Sequence, residues 1–196
     1  MIVIPDRAAG LPRADPSVIE RNVDRVFILS DTHWWHDNIV EYHHRPVDHT
    51  QLMIQRWWER VGKHDVVLHL GDVVHGIPTA DLWASFPDRL PGRIYLVPGN
   101  HDRTARVEVF MAAGWQLLDP FSFVYRDTLV CFTHEPMPPE EVVDGVINVH
   151  GHIHSNPSPN ARYLNVCVEM LDYAPTPLRA LLDAKLDELA EGKRQR

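Results

Sequence analysis

Residues 25 to 33 read RVFILSDTH, an apolar run that stops at an aspartate and a histidine. A run without polar alternation predicts a strand covered on both faces of its sheet. Two later stretches repeat the pattern: VVLHLGD at 66 to 72 and RIYLVPGNHD at 93 to 102 each place polar, metal-competent side chains directly after a short apolar run. Between the first two, Ile54, Trp57, Trp58 and Val61 recur at i, i+3, i+4 and i+7, one stripe of a helix starting near Asp48 to Thr50. A second helix is expected over Thr79 to Ser85 and a third over Thr104 to Ala113. Strand, helix, strand predicts parallel pairing through right-handed crossovers.

Downstream the strands come in quick succession, at Phe121 to Tyr125, Thr128 to Thr133, Val146 to Val149 and Tyr163 to Val168, with Arg126-Asp127 as the tight turn of the first hairpin. A last helix is expected from Thr176 to Leu189, ending at Gly192. Residues 1 to 24 carry three prolines and no periodicity, and read as an extended arm or a short strand followed by loop. The expected division is this arm, a single domain over 25 to 191, and a frayed basic tail over 192 to 196.

The chain has 196 residues, 44% hydrophobic and 23% charged, ordinary values that exclude disorder, collagen and coiled coil. Its net charge of −8 argues against a protein that coats DNA irrespective of sequence, and leaves a nuclease open. Cys131 and Cys167 each sit in an apolar run, outside any CxxC pair, and are expected to be buried reduced thiols. With no secretory pattern and no run of membrane-spanning length, the expected location is cytoplasmic and no membrane partner is expected. Thirteen His beside three Lys direct attention to metal ligands.

Five motifs each follow a predicted strand: Asp31-Thr32-His33, Gly71-Asp72, Gly99-Asn100-His101-Asp102, Thr133-His134-Glu135 and Gly151-His152-Ile153-His154. The carboxyl ends of strands in an open α/β sheet converge on one crevice, so these residues can meet there. Packing alone does not ask for such groups at five strand ends, because burying them without partners costs several kcal/mol each, on the order of 2–7. Metal ions would satisfy them all. A nitrogen and oxygen set without thiolate suits Mn, Fe, Zn, Ni or Co, and it exceeds what one ion needs. Two ions sharing a carboxylate is the economical arrangement.

In this order the motifs resemble those of the calcineurin-like binuclear metallophosphoesterases, over about Val26 to Tyr173. The strings DTHWWHDNI, GDVVH and NVCVEMLDYAPTPL look like the small single-domain prokaryotic and phage branch. The resemblance implies an α/β fold, a four-layer α/β/β/α sandwich of two facing mixed sheets flanked by helices. It implies that Asp31, His33 and His154 hold one divalent metal, that Asn100, His134 and His152 hold the other, and that Asp72 bridges them. His101 would be the catalytic acid, with Asp102 orienting its imidazole. The implied activity is hydrolysis of a phosphoester by a hydroxide bridging two ions, manganese first among the candidates.

A phosphodiester is the expected substrate, a nucleotide or short nucleic acid included. A small-molecule phosphomonoesterase is the alternative within the enzymes, and a non-catalytic scaffold on the same fold the alternative outside them. His36, His75 and Arg103 are candidates for contacting phosphate. Trp34 and Trp35, between His33 and His36, would either stack on an ester arm at the cleft or plug the core beneath the loop. Trp57 and Trp58 are expected in the core. His43, His44, His49, His64, His69 and His150 are expected to be structural or exposed.

Overall fold

The computed structural model describes residue 8, residues 10 to 75 and residues 90 to 194, the side chain of Lys193 excepted. Two mixed sheets flanked by helices make up the body, as expected. In the first, β1 (Val26–Leu29), β2 (Val66–His69), β3 (Arg93–Leu96) and β4 (Gln116–Leu117) run parallel in the order β4-β3-β2-β1. The antiparallel β9 (Thr176–Pro177) closes the far edge on β1. In the second, β5 (Phe121–Tyr125) pairs antiparallel with β6 (Thr128–Phe132), and β6, β7 (Val146–His150) and β8 (Tyr163–Asn165) are parallel. The β5–β6 turn is Arg126-Asp127, both at positive φ, as a two-residue hairpin requires.

Continuous apolarity did predict two-sided cover: every residue of β2 is buried, and one core cluster runs from Ile28 and Leu68 of the first sheet to Val130, Phe132 and Val149 of the second. Among the described residues, no helix is long and apolar enough to cross a membrane.

The helices depart from expectation in detail. In α3 (His49–Arg60) the buried stripe is Thr50, Met53 and Trp57, continued by Val61, whereas Trp58 is 58% exposed. Trp58 is therefore not a core residue; Met53 takes the inward position because one buried indole at Trp57 already fixes which face turns in. The segment before β1, expected to be extended, contains the helix α1 (Ser17–Arg21), anchored by the fully buried Ile19, and Ala14 N–H donates to Leu117 O at the edge of β4. Thr176 and Pro177 join the first sheet instead of the last helix, so α5 runs Leu178–Arg194 and passes through Gly192. Among the described residues two other α-helices are α2 (Ile39–His43) and α4 (Thr104–Ala112). The helix expected over Thr79 to Ser85 lies outside the described residues.

Trp34 is the plug, not the platform. It is fully buried, its ring 6.0 Å from that of Trp57 and 6.1 Å from that of His69, so no substrate can stack on it. Trp34→Ala is expected to lower the unfolding free energy by about 3–5 kcal/mol, the usual loss for an emptied aromatic site. Urea unfolding measures it, and a loss under about 1 kcal/mol accompanied by a raised KM would return Trp34 to the cleft.

Candidate metal centre

The loops that follow β1 and β2 run side by side. Asp31, His33 and Trp34 donate their N–H groups to Gly71 O, Asp72 O and Val73 O, at 2.9, 3.0 and 3.1 Å. This ladder past the strand ends brings the DTH and GD motifs together. The β3 loop joins them through Asp102, whose buried carboxylate accepts from Asp72 N (2.7 Å), Val73 N (3.1 Å) and Gly99 N (2.8 Å). Approach is close enough that a Cβ on Gly99 would collide with the Asp72 carboxylate. Glycine is needed there for contact, not for conformation.

Side-chain geometry then follows. Asp72 Oδ1 accepts the His101 N–H at 2.8 Å, and Oδ2 lies 3.5 Å from His33 Nε2 and 3.4 Å from His134 Nε2. Asp31 Oδ2 accepts His152 N–H at 2.8 Å and the Cys167 thiol at 3.3 Å. Its other oxygen, Oδ1, is buried with no hydrogen-bond partner, 3.7 Å from His33 Nε2 and 3.9 Å from His154 Nε2. On the far side Asn100 Oδ1 lies 2.9 Å from His134 Nε2 and 3.0 Å from His152 Nδ1. The ligand atoms of Asp31, His33 and His154 form one group within 4.8 Å, and those of Asp72, His134 and His152 another.

Backbone strain marks the same residues. Asp31, His33, Asp72, His152 and His154 all take positive φ, between 43° and 71°. Side chains other than glycine seldom adopt it, and each instance costs of order 1–3 kcal/mol, which the surrounding structure must overcome.

The electrostatics are those of carboxylates and imidazoles packed together out of water. Burial alone would raise both carboxyls, yet the hydrogen bond and charge of His134 hold Asp72 at about 2. Asp31 is likewise held well below the carboxylate range, by His33, His134 and His154 against its burial. Burial disfavours charge on His134, but the hydrogen bond to Asp72 and the charges of Asp31 and Asp72 carry its imidazole up to about 9. The buried unpartnered Asp31 Oδ1 and the His134 ring, whose Nδ1–H donates to Leu70 O at 2.6 Å and leaves Nε2 facing inward, fit divalent metal.

The other expected residues divide. His101 is brought to the site with its side chain 41% exposed and Nε2 4.0 Å from Asp72 Oδ2. Burial, offset in part by Asp72, lowers its imidazole below the usual value. Asp102 departs from expectation: among the described residues its carboxylate accepts from three backbone N–H groups and from no imidazole, so it pins two loops instead of orienting His101. His36 and His75 stack at 3.9 Å, and the His75 ring is 4.5 Å from His101. Burial first, then neighbouring rings, take both His36 and His75 down to about 4. Arg103 stands exposed before α4. Trp35 is half-buried against the core, with its N–H on Thr50 Oγ1 at 3.1 Å.

Both buried strand histidines are structural, as expected. His69 accepts Gly71 N–H at Nδ1 and lies 3.1 Å from Thr32 Oγ1 at Nε2, and burial pushes it down to about 3. His150 is bonded to Gly151 O and Ser158 Oγ. Cys167 is buried, but Cys131 is only half-buried. Two residues the sequence reading passed over reach the centre: Glu169, whose Oε1 is 2.9 Å from His154 Nδ1, and Arg45. Glu169 falls within the string NVCVEMLDYAPTPL already set aside as characteristic, whereas a lone Arg before Pro46 gave no signal.

The chain is 28% identical over 167 residues to an uncharacterized protein of Methanocaldococcus jannaschii, covering 79% of this chain and 87% of that one. It is 30% identical over 159 residues to the gene 66 protein of Mycobacterium phage D29, covering 68% and 80%. A protein of unknown function from Aquifex aeolicus shares the fold at a TM-score of 0.65 and 22% identity, covering 81% of this chain and 98% of that one. Residues 24–184 match the calcineurin-like phosphoesterase family, and with its five strand-end motifs gathered around Asp72 this chain belongs to that family of phosphoester hydrolases.

Proposed function

We propose that the chain hydrolyses phosphodiesters with two divalent ions, manganese first. What carries this reading is the placement of one oxygen, Asp72 Oδ2, 3.5 Å from His33 Nε2 and 3.4 Å from His134 Nε2, between two groups of donors. Asp31, His33 and His154 would hold one ion and Asn100, His134 and His152 the other, with Asp72 common to both. Such a pair, when bound, would polarise a phosphoryl oxygen and lower the pKa of water. The chain's own part is to fix those donors and to protonate the leaving oxygen from His101, whose exposed ring faces Asp72. The absence of thiolate among the donors, with Cys167 bonded to Asp31 instead, suits a hard or intermediate ion.

The diester preference rests on fixed charge. A monoester dianion calls for cationic side chains beyond the metals, yet among the described residues Arg45 is bound to Glu169, and Arg106 to Val74 O and His101 O. Arg103 is the exposed cation beside the motif. The second ester arm cannot lie on Trp34; among the described residues an exposed aromatic beside the centre is Tyr42, 66% exposed, with its ring 6.4 Å from that of His36. After chelation and reloading with Mn²⁺, kcat/KM should be at least about tenfold higher for bis-(nitrophenyl) phosphate than for nitrophenyl phosphate, a margin of about 1.4 kcal/mol. A monoester preference overturns the substrate reading, and a protein that holds two ions but turns over neither ester overturns the enzymatic one.

A further inference from the structure

We propose that Arg45 and Glu169 form a positioning pair for the metal site built on Asp31, His33 and His154. This rests on the two-metal reading above, and it concerns residues outside the motif set. Arg45 is a fully buried side chain in the loop between α2 and α3. Its Nη1 donates to Thr32 O at 2.7 Å and its Nη2 to Asp31 O at 2.6 Å, so the guanidinium grips the backbone of the DTH loop from behind. Its Nε and Nη2 also reach Glu169 Oε1, at 2.8 and 2.7 Å.

That same oxygen lies 2.9 Å from His154 Nδ1. An imidazole that donates Nδ1–H to a carboxylate is locked in one tautomer, with the Nε2 lone pair directed away, here toward Asp31 Oδ1 at 3.9 Å. His43 covers the outer face of the ring, stacked at 3.7 Å. Two ligands held on strained backbone, Asp31 at φ 58° and His154 at φ 52°, are thus tied to each other through one Arg–Glu pair. At the partner site, by comparison, His134 Nδ1 donates to a neutral carbonyl, Leu70 O.

A buried ion pair is weak grounds for stability, since apolar replacements often serve as well. Its retention here is explained by what its atoms touch. Nη1, Nη2 and the shared Oε1 each end on a metal-site residue or its immediate neighbour. A competing arrangement exists on the same residues, because the ligand atoms of His43, His154 and Glu169 lie within 4.8 Å of one another and would themselves accommodate a cation.

The test titrates Mn²⁺ into the chelated full-length chain and follows ions bound per chain, with thermal unfolding of the metal-free protein alongside. Glu169→Gln keeps size and an acceptor but removes the charge, and it should weaken one binding step by about 10- to 100-fold while leaving the other within about twofold. Metal-free unfolding should come at lower temperature, because Arg45 is left buried without its counter-charge, so the readout that a merely structural role would not give is the confinement of the loss to one binding step. Arg45→Lys, which keeps charge but loses the fork, should weaken the same step. If Glu169→Ala and Arg45→Ala fail to fold, these two conservative variants still decide the matter. Unchanged Mn²⁺ binding in both overturns the pair, as does equal weakening of the two steps. A third ion bound by the wild type and lost in His43→Ala also overturns it, in favour of a cation on His43, His154 and Glu169. A wild type holding one ion refutes the two-metal reading, and the pair then stands or falls on whether Glu169→Gln weakens that ion.

Discussion

Asp72→Asn is expected to lower phosphoesterase turnover by about 10³-fold or more and to reduce retained metal from two ions per chain toward one. In the proposed centre Asp72 is the side chain common to both ions, its Oδ2 lying 3.5 Å from His33 Nε2 and 3.4 Å from His134 Nε2. An amide of the same shape can keep the bond from His101 N–H that Oδ1 accepts. It cannot keep the negative charge, and its NH₂ would place protons where cations belong. The fold should survive, because the backbone of Asp72 is held independently, its N–H by Asp102 and its C=O by His33 N–H. His134→Ala or His152→Ala, by contrast, should empty one site and leave the other partly loaded. Metal analysis after gel filtration, beside kcat on one diester, separates these cases. Wild-type turnover by Asp72→Asn with two ions bound would remove the binuclear proposal altogether.

The strand ends were legible in the sequence because two local signals coincide there. A short apolar run declares a buried strand, and an abrupt change to Asp, His or Asn declares its end, so β1, β2, β3, β6 and β7 and the motifs after them could be placed within a residue or two. The side that an amphipathic helix turns inward was harder. Trp57 and Trp58 are equally apolar neighbours, and whether Met53 or Trp58 shares the buried face with Trp57 depends on what lies opposite. The same limit applies to Trp34. Hydropathy cannot distinguish an indole lining a cleft from one beneath it, and the complete burial of Trp34 beside the rings of Trp57 and His69 settles that it points into the core.

Within the centre, a second kind of information was missing. Residue type and order suggest which groups come together, but not which atom each one uses. Asp102 follows His101 directly, which invites the idea that its carboxylate holds that ring. Adjacent residues on a turn point apart, and the carboxylate instead gathers three backbone N–H groups from two loops. Asp102→Asn should therefore act through loop order, not through proton transfer. Arg45 was missed for a related reason, since its bonds go to main-chain carbonyls, which no sequence displays.

His101→Ala should retain two metal ions per chain while losing about 10²- to 10⁴-fold in kcat, the range for a positioned general acid. His101 is part of the centre without belonging to either donor group: its ring is 41% exposed and its Nε2 stands 4.0 Å from Asp72 Oδ2, on the open side. Among the described residues no carboxylate hydrogen-bonds that ring, Asp72 acting on it only across 4.0 Å; its ring neighbours are imidazoles, His75 at 4.5 Å and His33 at 5.4 Å between centroids. The ring is thus placed by packing and by the His101 N–H bond to Asp72, and it is free to meet a leaving oxygen. Removal of the ring should matter in proportion to how badly that oxygen needs a proton. Nitrophenolate departs unaided, so the defect should be small on nitrophenyl esters, whereas an alkoxide or ribose oxygen should show the full loss. Measuring kcat on a nitrophenyl and an alkyl diester with Mn²⁺-loaded wild type and variant decides the role. A defect that is the same for both leaving groups would make His101 a binding residue, since ground-state contacts do not sense the basicity of the departing atom.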